Sequence, residues 1–97
     1  MSCQISFEDQ KLKIIVDGMF THRVWQAIDG FAVDLAEVKS VEVDFSKTVF
    51  VDSGGIGCLM LLKDKVGDDI NVSLTNTNRD VHKIITTANL AEIFTVA

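Results

Sequence analysis

The chain has 97 residues, 47% of them hydrophobic and 24% charged, which supports one globular core and excludes a disordered polymer. A formal net charge of -5 with only nine scattered Lys and Arg residues excludes a nucleic-acid surface built on clustered cations. It favours a partner with a basic rim, although mild acidity is also what solubility alone produces.

No apolar run approaches the roughly 18 residues of a membrane span, so no membrane insertion is expected. The first residues lack the basic start and apolar core of a signal peptide, and the expected location is cytoplasmic. Cys3 and Cys58, far apart in the chain, read as reduced thiols rather than a disulfide framework.

Cys3, Ile5 and Phe7 alternate with polar residues, the period-two pattern of a half-buried strand. Asp9-Gln10 supplies a turn, and Leu12, Ile14 and Val16 alternate again, so the two segments form an antiparallel pair closed by Asp17-Gly18. Thr21 is the expected cap of a helix reaching about Leu35, with Val24, Ile28, Phe31 and Leu35 on one face and Trp25 and Ala32 widening it.

Val41, Val43 and Phe45 mark a third strand aimed at Asp52-Ser53. A helix follows from Ser53 to about Val66, ended by Gly67-Asp68-Asp69. Val72 and Leu74 mark a strand over 71–75. Thr77 or Asn78 caps a third helix, which carries Val81, Ile84, Ile85 and Ala88 at helical spacing. Leu90, Ile93, Phe94 and Val96 form an apolar tail expected to pack back on the sheet. The order β-β-α-β-α-β-α predicts one α/β domain over residues 1–97. Its sheet is mixed, four- to five-stranded, with helices mainly on one face and later strands parallel.

The stretch Val51-Asp52-Ser53-Gly54-Gly55-Ile56-Gly57 organises the rest. Ser53 falls at or beside a helix N-terminus, where backbone N–H groups lack partners and the macrodipole favours negative charge. The two glycines after it are expected to leave the backbone open to a modifying enzyme or a partner. On a helical wheel Leu59, Leu62 and Val66 centre the buried face. Ser53, Ile56, Gly57, Met60 and Asp64 form a neighbouring stripe, and Leu61 lies on the opposite side near Lys65. This apolar excess fits either a helix well covered by its neighbours or a partner-binding ridge continuous with Ser53. Ser53 itself reads either as a regulatory hydroxyl or as a plain N-cap.

An enzyme reading finds little support. A nucleophile elbow wants Gly-x-Ser-x-Gly, and the residue two before Ser53 is Val51. No catalytic residue is assigned. His22, His82, Cys3 and Cys58 have no ligand spacing, so neither a metal site nor a cofactor is expected. Cys58 reads as an inert core thiol.

The segment Asp52-Ser53-Gly54-Gly55-Ile56-Gly57, followed by Leu59, Met60, Leu61 and Leu62, resembles the signature of the STAS-domain anti-sigma factor antagonists, Asp-Ser-Ser/Thr/Ala-Gly/Ala-Leu/Ile-Gly. Gly18 before the first helix, Val43-Asp44-Phe45-Ser46 and the Leu90–Val96 ending extend the resemblance over the whole chain. Two positions depart from it. Gly54 replaces a second hydroxyl-bearing or small residue, and Met19-Phe20-Thr21 stands where the family often carries acids, which suggests a divergent subgroup.

The resemblance implies that Ser53 is phosphorylated by a serine kinase of GHKL type that doubles as an anti-sigma factor. The unmodified domain then binds that kinase, and a serine phosphatase restores it. The partner-binding surface is expected over Asp52, Ser53, Gly54, Gly55, Ile56, Gly57, Met60, Leu61 and Asp64, on a monomer or weak dimer with no direct nucleic-acid contact. STAS domains also serve as accessory subunits of transporters, including ABC systems that move phospholipid, where the same surface docks an ATPase without phosphorylation.

Overall fold

A computed structural model of the chain describes residues 2–31 and 33–96. Period-two patterning produces the first two strands as expected. β1 (Ser2–Glu8) and β2 (Lys11–Phe20) pair antiparallel, with Cys3 opposite Val16 and Phe7 opposite Leu12. The tight turn between them uses left-handed backbone at Asp9 and Gln10.

α1 (Arg23–Gly30) follows, then a single 3₁₀ turn at Leu35–Glu37 and β3 (Ser40–Asp44). β4 (Thr48–Val51), α2 (Ser53–Val66), β5 (Asn71–Thr75), α3 (Arg79–Thr87) and β6 (Thr95–Val96) complete the chain. β3, β5 and β6 lie side by side beyond β2, and every pair except β1–β2 is parallel.

The sheet has six strands where four to five were expected, and the difference has a local cause. β3 and β4 both run parallel to β2, β3 along Lys11–Ile15 and β4 along Gly18–Phe20. β4 therefore continues the path of β3 after a break at 45–47. In that break Phe45 N–H turns aside to the Thr75 carbonyl at 2.9 Å, and the Thr48 hydroxyl donates to the Val16 carbonyl at 2.8 Å. A second irregularity follows at once: Gly18 pairs with Thr48 but Met19 pairs with Phe50, so Val49 has no opposite number and stands 66% exposed. Gly18 takes φ 95°, a left-handed conformation that glycine adopts without strain.

Leu12, Ile14 and Val16 on β2, Val41 and Val43 on β3, and Val72 and Leu74 on β5 are buried, whereas the alternating Lys11, Lys13, Glu42 and Ser73 are not. Val24 and Ile28 of α1, Leu59 and Leu62 of α2, and Val81 and Ile85 of α3 join the same core. The helices thus cover one face, as expected. On the other face Lys11 pairs with Glu42 at 2.9 Å, and Lys13 lies 4.0 Å from Asp44.

The first helix ends at Gly30, well short of Leu35. Glycine is a weak helix former, and Phe31 beyond it takes an extended conformation. Ala32, expected on that helix's apolar face, lies outside the described residues. Thr21 contributes near the start, its hydroxyl accepting from Arg23 N–H at 3.2 Å. Asn78 rather than Thr77 caps α3, accepting from Val81 N–H at 2.8 Å. The tail packs back through Leu90 and Phe94, and β6 joins β5, while Ile93 faces outward at 41% exposure. Among the described residues no helix is long and apolar enough to cross a membrane.

Candidate functional site: the N-terminal crest of α2

β4 delivers the chain to the corner and Asp52 turns it into a helix. Asp52 is extended (φ -92°, ψ -179°), its Oδ1 accepts from Gly55 N–H at 2.7 Å, and its carbonyl accepts from Ile56 N–H at 3.1 Å. These are the contacts of an N-cap. The alternative in which Ser53 is the capping hydroxyl is therefore displaced by one residue: Asp52 caps, and Ser53 is the first residue of α2. Ser53 is exposed. Among the described residues its hydroxyl has no hydrogen-bond partner, and the N–H groups of Ser53 and Gly54, in the first turn, have no intrahelical one.

Gly55 does not leave the backbone open to an approaching partner. It is buried, and a Cβ there would stand 2.1 Å from the Phe20 carbonyl oxygen, which also accepts from Asp52 N–H at 3.2 Å. Its lack of a side chain lets α2 sit directly on the end of β2. Gly54 meets the start of α1 in the same way, with its absent Cβ only 3.2 Å from the His22 amide nitrogen. Gly57 faces open space.

Ser53, Gly57, Met60 and Asp64 form one exposed crest along α2. A groove runs on each side. Towards α1, a space of about 370 Å³ is lined by His22, Trp25, Gln26, Gly54, Gly57, Cys58 and Leu61. Towards α3, a space of about 290 Å³ is lined by Ile56, Lys83, Ile84, Thr87 and Ala88. The two readings of the helix's apolar excess thus each hold in part: Gly55, Cys58, Leu59 and Leu62 are covered, Ile56 and Leu61 are half-buried on the groove walls, and Met60 is 43% exposed.

Sequence reasoning placed the site on α2 and overlooked its flanks. His22 and Trp25 of the α1 segment wall one groove, and Met19, Val49 and Phe50 add exposed apolar surface at the end of β2 and β4. The available signal was an apolar pair, Val49-Phe50, just ahead of the capping Asp. The charge expectation also changes. Arg23, Lys63, Lys65, Arg79 and Lys83 lie on the helices against Asp29, Asp64 and Asp80, so the acidic surplus belongs to the strands and loops.

Two carboxyls outside the site are held ionised. Burial pushes the Asp44 carboxyl up, but hydrogen bonds from Ser46 N–H, Asn76 and the Ser46 hydroxyl, with Lys13 nearby, outweigh it and hold it below the ordinary carboxylate value. The Lys11 ammonium, then the Thr75 hydroxyl, lower Glu42. Desolvation pushes the Cys58 thiol up to about 12 and raises that of Cys3. Cys58 is thus a buried and poorly nucleophilic thiol. Among the described residues no cluster of three His, Cys, Asp or Glu residues is arranged to hold a metal ion.

The fold recurs in solved structures. The chain is similar to an anti-sigma factor antagonist from Mycobacterium paratuberculosis, with 20% identity, a TM-score of 0.78, and coverage of 98% of this chain and 83% of that one. It is also similar to the anti-sigma factor antagonist SpoIIAA in its unphosphorylated form, at 18% identity and TM-score 0.67 over 88% of this chain and 82% of that one. The phosphorylated form of the Bacillus cell fate determinant SpoIIAA matches at 16% identity and TM-score 0.70, over 99% and 91%. At such identities these likenesses establish a shared fold. A STAS-domain containing protein of Pseudomonas aeruginosa is 28% identical over 94 residues, 95% of this chain and 93% of its relative. The family model described as "Mlab, STAS domain" matches residues 3–96, and the chain belongs to that STAS family.

Proposed function

We propose that the chain is an anti-sigma factor antagonist, a non-enzymatic protein-interaction module of one STAS domain whose docking is switched by phosphorylation of Ser53. The observation that carries this reading is the exposed, unengaged Ser53 hydroxyl at the start of α2, with the cap supplied by its neighbour Asp52. A phosphate there adds about −1.5 to −2 charge. The unpaired N–H groups of the first turn favour an anion, so the fold tolerates the modification and the effect falls on association.

The unmodified crest, with Asp52, Gly54, Ile56, Gly57, Met60, Leu61 and Asp64 around Ser53 and Gly55 beneath it, docks a GHKL-type serine kinase that acts as an anti-sigma factor. A serine phosphatase resets the switch in the cytoplasm, with the domain a monomer or weak dimer. Placing a dianion in an interface fitted to a neutral serine costs several kcal/mol when it meets like charge, or at least ~100-fold in affinity. Calorimetry of the unmodified and phosphorylated protein against the kinase tests this; equal affinities refute it.

A second reading has the same crest docking a transporter ATPase with Ser53 never modified. The observation favouring it is that the matched family model is that of MlaB and is not named for a sigma-factor regulator. Phosphate-affinity electrophoresis of the protein from its native cell, with identification of the co-purifying ATP-binding protein, separates the two.

A further inference from the structure

The first turn of α2 touches the start of α1 at one point. A Cβ on Gly54 would lie 3.2 Å from the His22 amide nitrogen and 3.3 Å from His22 Cβ, so the two chain segments are in contact there. His22 occupies the cap position of α1 but its side chain makes no capping hydrogen bond, and the residue is exposed on the wall of the groove that includes Gly54 and Gly57. Ser53 is the residue preceding Gly54 in the chain, its Cα about 3.8 Å from that of Gly54, so the serine adjoins the point where α2 meets His22.

The charged residues flanking this corner in the chain are Asp52, whose Oδ1 already accepts from Gly55 N–H, and Arg23, the first residue of α1. β4 carries no charge, and Met19, Phe20 and Thr21 at the end of β2 are neutral.

We propose that His22 is the internal partner of a phosphate on Ser53. This rests on the reading of Ser53 as the modified residue and adds to it a regulatory part for α1. The imidazolium donates to one phosphate oxygen while the Ser53 and Gly54 N–H groups face the others. The phosphate is thereby shared between two helices, and the mouth of the α1–α2 groove is closed at the same moment that the crest gains its charge. His22 is a positioning residue: it forms and breaks no bond with the substrate of any kinase or phosphatase.

The test uses the full chain with phosphoserine installed during translation at position 53, so that it does not depend on a cellular kinase. Urea denaturation at pH 6 gives the folding constant of the Ser53 and phosphoserine forms, each with His22 or with His22→Ala. The expected coupling is about fivefold in favour of the phosphorylated form when His22 is present, the size of one charge-assisted hydrogen bond at a partly exposed site. His22→Lys retains it, and His82→Ala leaves it unchanged because His82 lies on α3. Should the His22→Ala chain fail to fold, His22→Gln takes its place.

A cycle that closes within twofold, or one in which His82→Ala removes as much as His22→Ala, overturns the proposal while leaving the phosphorylation of Ser53 untouched. Absence of phosphate on Ser53 in the native cell overturns the functional reading and leaves the measured coupling standing.

Discussion

Two glycines of α2 should respond to the same substitution with opposite sign. Gly55→Ala places a methyl group 2.1 Å from the Phe20 carbonyl oxygen and 2.9 Å from both Phe20 C and Phe20 Cδ1. Two of those three atoms are backbone in a paired strand, and relief requires the start of α2 to lift from β2 by about 1 Å. Overpacking of this kind costs roughly 1–3 kcal/mol. The lift also strains the Asp52 N–H bond to that same carbonyl and the Asp52 cap on Gly55, a cap being worth ~1 kcal/mol. Alanine's better helix propensity returns at most ~1 kcal/mol. The net expectation is a loss of about 2 kcal/mol, or roughly 10 °C in melting temperature for a domain of this size.

Gly57→Ala, by contrast, adds a methyl with nothing within 4 Å, and keeps only the propensity gain of up to ~1 kcal/mol, a rise of about 5 °C. Urea titrations and thermal melts followed by circular dichroism on the two variants decide the matter. A Gly55→Ala protein within ~0.5 kcal/mol of the parent, or a Gly57→Ala protein that loses more than that, refutes the account of how α2 is seated.

Ser53→Ala is expected to bind the kinase like the unmodified protein while losing its switch, and Ser53→Asp to weaken binding, as read by titration calorimetry. Asp52→Ala should cost ~1 kcal/mol of stability by urea denaturation, and Asp52→Asn much less, because an asparagine oxygen can accept from the same N–H. Asp44 and Glu42 have folded-state pKa values below their ordinary ones. Their contribution is complete above the unfolded carboxylate pKa of about 4 and is lost as pH falls through the folded values. Asp44→Asn should therefore flatten the fall in stability below pH 4, measured by denaturation at stepped pH. Cys58, with its thiol pushed up to about 12, should resist Ellman's reagent at pH 8 in the native protein and react on unfolding.

Most of the architecture is written in local periodicity. Leu12-Ile14-Val16 and Val72-Leu74 alternate cleanly because one face of each strand is buried and the other solvated. Val81 and Ile85 repeat at helical spacing because α3 rests on the core by one stripe. β4 is not legible in this way. Its Thr48–Val51 segment reads buried, exposed, exposed, buried, since the unpaired Val49 breaks the alternation that a strand would show. The end of α1 is illegible for a different reason. Phe31 and Leu35 fall at helical spacing by coincidence, each half-buried from irregular backbone and a 3₁₀ turn.

At the site, the serine-glycine corner was readable, but two neighbouring hydroxyl and carboxyl groups compete for one cap. Only the backbone angles at Asp52 show which side chain reaches Gly55. The roles of Gly54 and Gly55 were equally hidden, because what a missing side chain makes room for belongs to distant parts of the chain, His22 and Phe20.

The irregularity inside β4 shapes the surface beside the crest. Val49 is absorbed as an extra outward residue beside Phe50, so Val51 still turns inward opposite Phe20 and delivers the chain to Asp52. Without Val49 the buried Thr48, exposed Phe50 and buried Val51 would alternate as in an ordinary strand and keep the same partners on β2, so α2 would leave from the same side. What the extra residue contributes is a pair of adjacent outward apolar side chains, Val49 and Phe50, set just ahead of the serine corner.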